Sequence, residues 1–364
     1  MKRVVEQAGA AGADGSFSKT VIRWQKQYGR HALPWQRTRD AYRIWLSEIM
    51  LQQTQVATVI PYYARFLERF PDVVALAGAP PEEVMALWSG LGYYTRARNL
   101  HRCARQVVAE HGGCFPKDVE ALASLPGIGR STAAAICAFA YGTRAAILDG
   151  NVKRVFCRAF GIEGFPGSAS VERQLWERAI ALLPESDIES YTQGLMDLGA
   201  TLCTRSRPDC TACPLQSRCV AHASGRTAEL PERKPKKAVP EKSTVMLVVE
   251  HHGAVLLEQR PPSGIWGGLL SLPELDRLLP EVPAKIGGKA LLSALAEFGE
   301  VESFDWLQPF VHAFTHYKLN VNPVRVRLSR SFMLASQSSY QWVPKKKLSS
   351  SGLPAPVRKL LDTQ

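Results

Sequence analysis

DVEALASLPGIGRSTAAAICAFAYGTRAAILDGNVKR, residues 118–154, decides how the rest of the chain is read. Val119, Leu122, Ala123 and Leu125 keep helical spacing behind Asp118, an N-cap residue type. Pro126 and the Gly127-Ile128-Gly129 run stop that helix and turn the chain sharply. Ser131 is then expected to cap an Ala-rich apolar helix running to about Gly142. The two glycines leave backbone N–H groups free beside the positive end of that helix. Such a corner accepts a phosphate oxygen without reading a base, so Gly127, Gly129 and Arg130 are candidate phosphate contacts. Alone, the hairpin is equally an ordinary turn; the carboxylate that follows, Asp149, tips the balance.

Asp149 stands in Leu148-Asp149-Gly150-Asn151, a turn opening another helix. An aspartate bonded to backbone N–H groups there is expected to stay ionised, and its plainer role is helix capping. Glu48 lies in the helical run YRIWLSEIMLQQ (42–53), near Ile44, Trp45, Leu51 and Gln52. Such surroundings desolvate a carboxyl and favour its protonated form, making Glu48 a candidate general acid; the alternative is a surface glutamate. One acid suited to donating a proton and one suited to staying negative is the division of labour that glycosidic bond cleavage requires.

Cys203, Cys210, Cys213 and Cys219 follow C-x6-C-x2-C-x5-C. Four thiols this close imply a metal centre in a reducing compartment. The compact single run suits a [4Fe–4S] cluster, while the spacing also admits zinc. Arg205 and Arg207 in that loop are placed to meet phosphates. The other cysteines (Cys103, Cys114, Cys137, Cys157) are scattered, as packing residues are.

The 364 residues imply two or three domains, and a formal net charge of +12 favours a polyanionic partner. The excess is spread: +6 over 1–222, +3 over 223–242 and +3 over 243–364. No signal peptide or membrane-span pattern is found, so an intracellular, cytoplasmic location is expected. Residues 1–17 read as a flexible tail and 18–222 as helical, broken by Pro and Gly. Within the helical part, one lobe is expected over about 33–143 and another over 18–32 plus 144–222. Residues 223–242 read as a charged linker with little to bury, carrying Arg233, Lys234, Lys236 and Lys237. Residues 243–364 read as α+β: strands at 245–249, 254–257 and 319–328, and a helix over 289–298.

Jointly, WLSEIMLQQTQVATVIPYY, GLGYYTRARNL, LPGIGRST, ILDGNVKR and the cysteine pattern resemble the adenine DNA glycosylase (MutY) family of the helix-hairpin-helix superfamily, which includes endonuclease III. The resemblance runs from about Phe17 to the C-terminus. It implies a mainly α glycosylase fold with an iron–sulfur loop, plus a C-terminal α+β Nudix-like (MutT-like) domain. The implied reaction is base-excision removal of adenine opposite 8-oxoguanine or guanine, with the adenine flipped from duplex DNA bound by a monomer. Glu48 would protonate the base and Asp149 stabilise the sugar cation, with Asn151 counted beside them. Ser131 stands where lyase relatives carry Lys, implying a monofunctional enzyme; Lys153 nearby could form an adventitious Schiff base.

By the same resemblance, Gln53, Thr54 and Tyr93 meet the helix stack at the lesion, and Arg30 and Gln193 belong to the base pocket. Gly90 and Gly92 bracket Leu91 in a loop suited to reaching into DNA. Gly268 and Glu274 fit the opening of a Nudix box, but Val282-Pro283-Ala284-Lys285-Ile286 replaces its acidic core, so pyrophosphatase chemistry is not expected. Phe314-Thr315-His316 resembles the family's Phe-Ser-His loop for 8-oxoguanine, with Thr for Ser. Rival readings are an endonuclease III-like glycosylase/lyase and a DNA-damage binding protein without catalysis.

Overall fold

The structure, a computed structural model, describes residues 10–234, 239–261, 264–278, 288–296, 298–314, 316–332 and 339–362. Lys236, Lys237, Val282–Ile286 and Thr315 lie outside the described residues. The helices of the first two-thirds are α1 (Ala10–Tyr28), α2 (Ala41–Leu51), α3 (Val56–Arg69), α4 (Val73–Gly78), α5 (Pro81–Trp88) and α6 (Thr95–His111). They continue with α7 (Val119–Ala123), α8 (Arg130–Tyr141), α9 (Gly150–Phe160), α10 (Ala169–Ala181), α11 (Ile188–Asp197) and α12 (Val220–Ala223). Two compact units form: the chain up to Gly78 with Asn99–Pro235, and Ala79–Arg98 with the chain from Lys236. Among the described residues, no helix is long and apolar enough to cross a membrane.

In the helical unit, Phe17 and Val21 of α1 pack with Ile147, Leu148, Val152, Phe156, Leu175, Leu195 and Leu198 in one buried core. Because α1 starts at Ala10 and Phe17 is buried, the expected tail over 1–17 is corrected: residues 10–17 belong to a helix whose apolar face is needed inside. The hairpin between α7 and α8 forms as expected, with Asp118 Oδ1 accepting from Ala121 N–H at 2.9 Å. Gly127 takes φ +78°, and an added Cβ there would stand 2.9 Å from Asn99 Cβ, so the turn demands glycine twice over.

The expected linker is corrected too. Leu230 is buried, Gly164 N–H donates to Glu232 Oε1 at 2.8 Å, and Arg226 pairs with Glu163 at 2.7 Å. The segment before Pro235 therefore lies on the helical unit, because it does have an apolar side chain to bury. Glu241 and Lys242 already belong to strand β1.

The C-terminal segment carries β1 (Glu241–His251), β2 (Ala254–Gln259), β3 (Leu270–Ser271), α13 (Leu275–Leu278), α14 (Gly288–Leu295), β4 (Gly299–Trp306), β5 (Phe310–Ala313), β6 (Lys318–Ser331), β7 (Tyr340–Pro344) and α15 (Ala355–Asp362). The sheet order is β3-β2-β1-β6-β4, with β5 on β6 and β7 on β2. Only β1 and β6 run parallel among these pairs, in a register that sets Val245 against Asn322 and Val249 against Val326. Val245, Leu247, Val249, Val324 and Val326 alternate inward on these strands and meet Leu291, Leu295 and Phe298.

Candidate active site

Glu48, Asp149, Ser131 and Asn151 line one cavity of about 1660 Å³ in the helical unit, together with Arg30, Gln53, Thr54 and Gln193. That volume exceeds the roughly 300–1,000 Å³ of a pocket enclosing a small ligand, and suits a piece of a polymer. Glu48 comes from α2, whose N-cap Asp40 accepts from Tyr42 N–H at 2.9 Å. Its carboxyl is pushed up to about 8, first by burial and then by the charge on Asp149. Part of its surface stays open to the cavity, so the proton it holds at neutral pH has a way out.

Asp149 caps α9: Oδ1 accepts from Val152 N–H at 2.8 Å and Oδ2 from Asn151 Nδ2 at 3.3 Å. Burial pushes its carboxyl up, while N–H bonds from Val152 and Asn151, the Arg154 charge and the Asn151 side chain pull it down. Burial outweighs the bonds, so the carboxyl lies above its ordinary value. With one proton between two coupled acids, it resides on Glu48, because Asp149 has oxygens already committed to N–H donors.

Ser131 does not cap its helix. Gly129 is the N-cap of α8, and Ser131, one residue into the helix, accepts from Leu148 N–H through Oγ at 2.9 Å. The hydroxyl thereby ties the hairpin helix to the strand of chain delivering Asp149. Gln53 takes φ +57° in the turn after α2 and is exposed beside Thr54.

Several residues missed in the sequence join this site. Arg154 donates to Asn151 Oδ1 at 2.8 Å, Gly199 O at 2.6 Å and Cys203 O at 2.7 Å. Any side chain at Gly199 would run into the Cβ and backbone of Asn151. Asp197, fully buried, accepts from Arg30 and Gln193. For Arg154 and Asp197 the sequence signal was faint: polar residues one helical turn from a residue already chosen.

The remaining candidates lie elsewhere. Gly127, Gly129 and Arg130 are exposed, with the Arg130 guanidinium 3.9 Å from the Trp176 ring centroid. Lys153 pairs with Glu172 at 2.6 Å and is not among the cavity's lining residues. In the other unit, Tyr93 is 45% exposed with φ +48°, between Gly92 at φ +72° and the body of α6. Within the loop bracketed by Gly90 and Gly92, Leu91 is buried and the aromatic side chain presented to solvent is Tyr93. Phe314 stacks on Tyr317 at 4.6 Å and packs edge-on against His312 at 4.6 Å; His316 is exposed. Glu274 is buried and ion-paired with Arg260 at 2.9 Å, so it is no free metal ligand.

Cys203, Cys210, Cys213 and Cys219 are free thiols, all partly buried. Each of the other three acts electrostatically on Cys213. Arg158, buried, donates to Cys203 Sγ at 3.4 Å and to Thr204 O at 2.7 Å. Among the described residues, no three His, Cys, Asp or Glu side chains stand in metal-holding geometry.

The family description "HhH-GPD superfamily base excision DNA repair protein" matches residues 46–179, and that of the NUDIX domain matches 244–363. The helical unit is therefore a base-excision DNA repair fold of the helix-hairpin-helix class, carried with a Nudix-type domain. A Buchnera aphidicola (Baizongia pistaciae) adenine DNA glycosylase is 34% identical over 347 residues, covering 95% of both chains. The Homo sapiens adenine DNA glycosylase is 37% identical over 361 residues, covering 84% of this chain and 65% of that one. The chain belongs to the adenine DNA glycosylase family, and is an enzyme of the DNA N-glycosylase type. A thermostable thymine-DNA glycosylase structure superposes with TM-score 0.53 at 30% identity over 59% of this chain and all of that one. An endonuclease III–DNA complex shares the fold, with TM-score 0.51 at 20% identity over 60% of this chain and 99% of that one.

Proposed function

We propose that this enzyme releases adenine mispaired with 8-oxoguanine or guanine in duplex DNA, by hydrolysis of the N-glycosidic bond without cutting the strand. The observation that carries the reading is the raised carboxyl of Glu48 in one cavity with Asp149. An extruded adenine is poor at leaving as an anion. Glu48, protonated at neutral pH, gives its proton to a ring nitrogen as the C1′–N9 bond breaks. Asp149, held by Val152 and Asn151, faces the cationic sugar and stabilises it electrostatically or by a transient bond. Water then adds at C1′, leaving an abasic site.

Two features favour a glycosylase that spares the backbone. Ser131 has no amine to attack C1′, and its hydroxyl is engaged with Leu148 N–H. Lys153 is held by Glu172. Gly127, Gly129 and Arg130 are suited to strand phosphates, and Gln53, Thr54 and Tyr93 to the stack at the lesion. Phe314, Thr315 and His316 are assigned to the orphaned 8-oxoguanine, in a monomer on DNA.

The donor set Cys203, Cys210, Cys213 and Cys219 fits a [4Fe–4S] cluster: four soft thiols, no imidazole, and a buried arginine against one sulfur. When bound, it would crosslink the loop from which Cys203 O receives Arg154; no step of the hydrolysis passes through it. Iron and sulfide analysis of the purified protein tests this.

The deciding experiment incubates an A:8-oxoguanine duplex with the enzyme, with and without alkali. Breakage only after alkali supports the proposal. Equal breakage without alkali means a lyase, and no breakage in either arm rejects adenine excision.

A further inference from the structure

Asp197 ends α11 with no exposed surface, and none of the steps above uses it. Its carboxylate gathers three N–H groups: the Arg30 backbone on Oδ2 at 2.8 Å, Arg30 Nε on Oδ1 at 2.7 Å, and Gln193 Nε2 on Oδ1 at 2.8 Å. Arg30 and Gln193 both line the cavity. A carboxylate only accepts hydrogen bonds, so Gln193 must turn its NH2 towards Asp197. The orientation of an amide is fixed by its partners, and here the partner is an ion-paired carboxylate. What Gln193 has left for the cavity is Oε1, an acceptor, and the second N–H of its NH2. Arg30, clamped through Nε and its own backbone, has only donors to offer there.

We propose that Asp197 is a specificity-determining positioning residue. By holding the Gln193 amide with Oε1 towards the cavity, beside the Arg30 donors, it selects a purine bearing an exocyclic amine over one bearing a carbonyl. The proposal rests on the adenine reading above and deepens it. Along its outer edge, a 6-amino purine shows a donor (N6) beside an acceptor (N7), the complement of Gln193 Oε1 and an Arg30 N–H. A 6-oxo purine shows two acceptors. Its carbonyl would face Oε1 lone pair to lone pair and leave both unpaired. Asp197 never meets the base; it decides which way round the amide is read.

Asp197→Asn exchanges one oxygen for an NH2, which frees the Gln193 amide to turn over. Single-turnover release of adenine and of hypoxanthine, each opposite 8-oxoguanine, reads the effect. The adenine-to-hypoxanthine rate ratio of D197N should fall about tenfold below that of the wild type. A drop of both rates at an unchanged ratio would mean a merely structural role and overturn the proposal. Circular dichroism reports whether D197N folds. If it does not, Gln193→Met carries the test, since it leaves the Arg30–Asp197 pair in place: its ratio should fall similarly, and an unchanged ratio overturns the proposal. The double variant should lose no more selectivity than either single one, because both remove the same oriented acceptor; additive losses count against it. Failure of the underlying adenine reading looks different, because the wild type would then release no adenine at all.

Discussion

Glu48 in the helical unit and Glu274 in the C-terminal unit are both glutamates taken largely out of bulk water, and burial pushes both carboxyls up. Their partners differ. Glu274 meets Arg260 at 2.9 Å, and Arg260 with Arg277 also serves buried Glu258, at 3.6 and 3.1 Å. Among the described residues Glu48 has no such ion pair, and the charge acting on it is Asp149, which pushes it further up. Two pictures of a buried acid follow: neutralised by a counter-ion it is a structural part, and left with a like charge it holds a proton, as the general acid proposed for Glu48 must.

The largest effect expected from breaking this contrast is on turnover. Glu48→Gln keeps the shape and removes the acid, so base release should fall by about 10³-fold in single-turnover assays while duplex binding survives in gel-shift measurements. The same acid gives a pH limb. Glu48 must be protonated, so activity should decline as pH rises through about 8, with a separate fall on the acid side where Asp149 takes up a proton. A wild-type rate still climbing at pH 9 would remove Glu48 from its role.

Next in size is the opposite operation. Arg260→Met strands Glu274 without its cation and leaves Glu258 with Arg277 alone, and should destabilise the C-terminal unit by about 3–5 kcal/mol in denaturant melts. Stability unchanged within error would mean those carboxyls are neutral without help. A smaller effect, opposite in sign, sharpens the comparison. The folded pKa of Glu48 is raised from 4.5 to about 8, so the native state binds the extra proton between these values and stability drains away as pH rises through that window. Glu48→Gln removes the drain: Tm should equal wild type below about pH 4.5 and exceed it by several degrees at pH 8. Smallest of all, Glu172→Gln breaks a half-exposed pair with Lys153 and should shift stability by less than about 1 kcal/mol.

These contrasts also mark what the sequence could tell. Glu48 was legible because helical spacing alone surrounds it with Ile44, Trp45 and Leu51. The hairpin was legible because Pro126, Gly127 and Gly129 leave little else possible, and the sheet because Val324, Val326 and Leu328 alternate. Glu274 was legible only as a Nudix-box position by its spacing from Gly268, because nothing in the sequence shows that packing brings Arg260 against it. Ser131 looked like a cap because residue type outweighs position in such readings; Gly129 takes the cap, and the hydroxyl goes to Leu148, 17 residues on. Asp197 was invisible because a polar residue one turn beyond Gln193 gives no sign of its distant partner Arg30. Leu230 hid in a charged stretch, where one apolar side chain was enough to fasten the segment.

Gly199 bears no chemistry of its own, yet its bare Cα is what lets the turn carrying Asp149 settle against the chain leading to Cys203. In a saturation survey of this protein, position 199 should behave like a catalytic residue: even alanine would wedge Asn151 aside and mute the enzyme. A tolerance map would thus flag a silent atom, the missing methyl, as firmly as it flags the acids themselves.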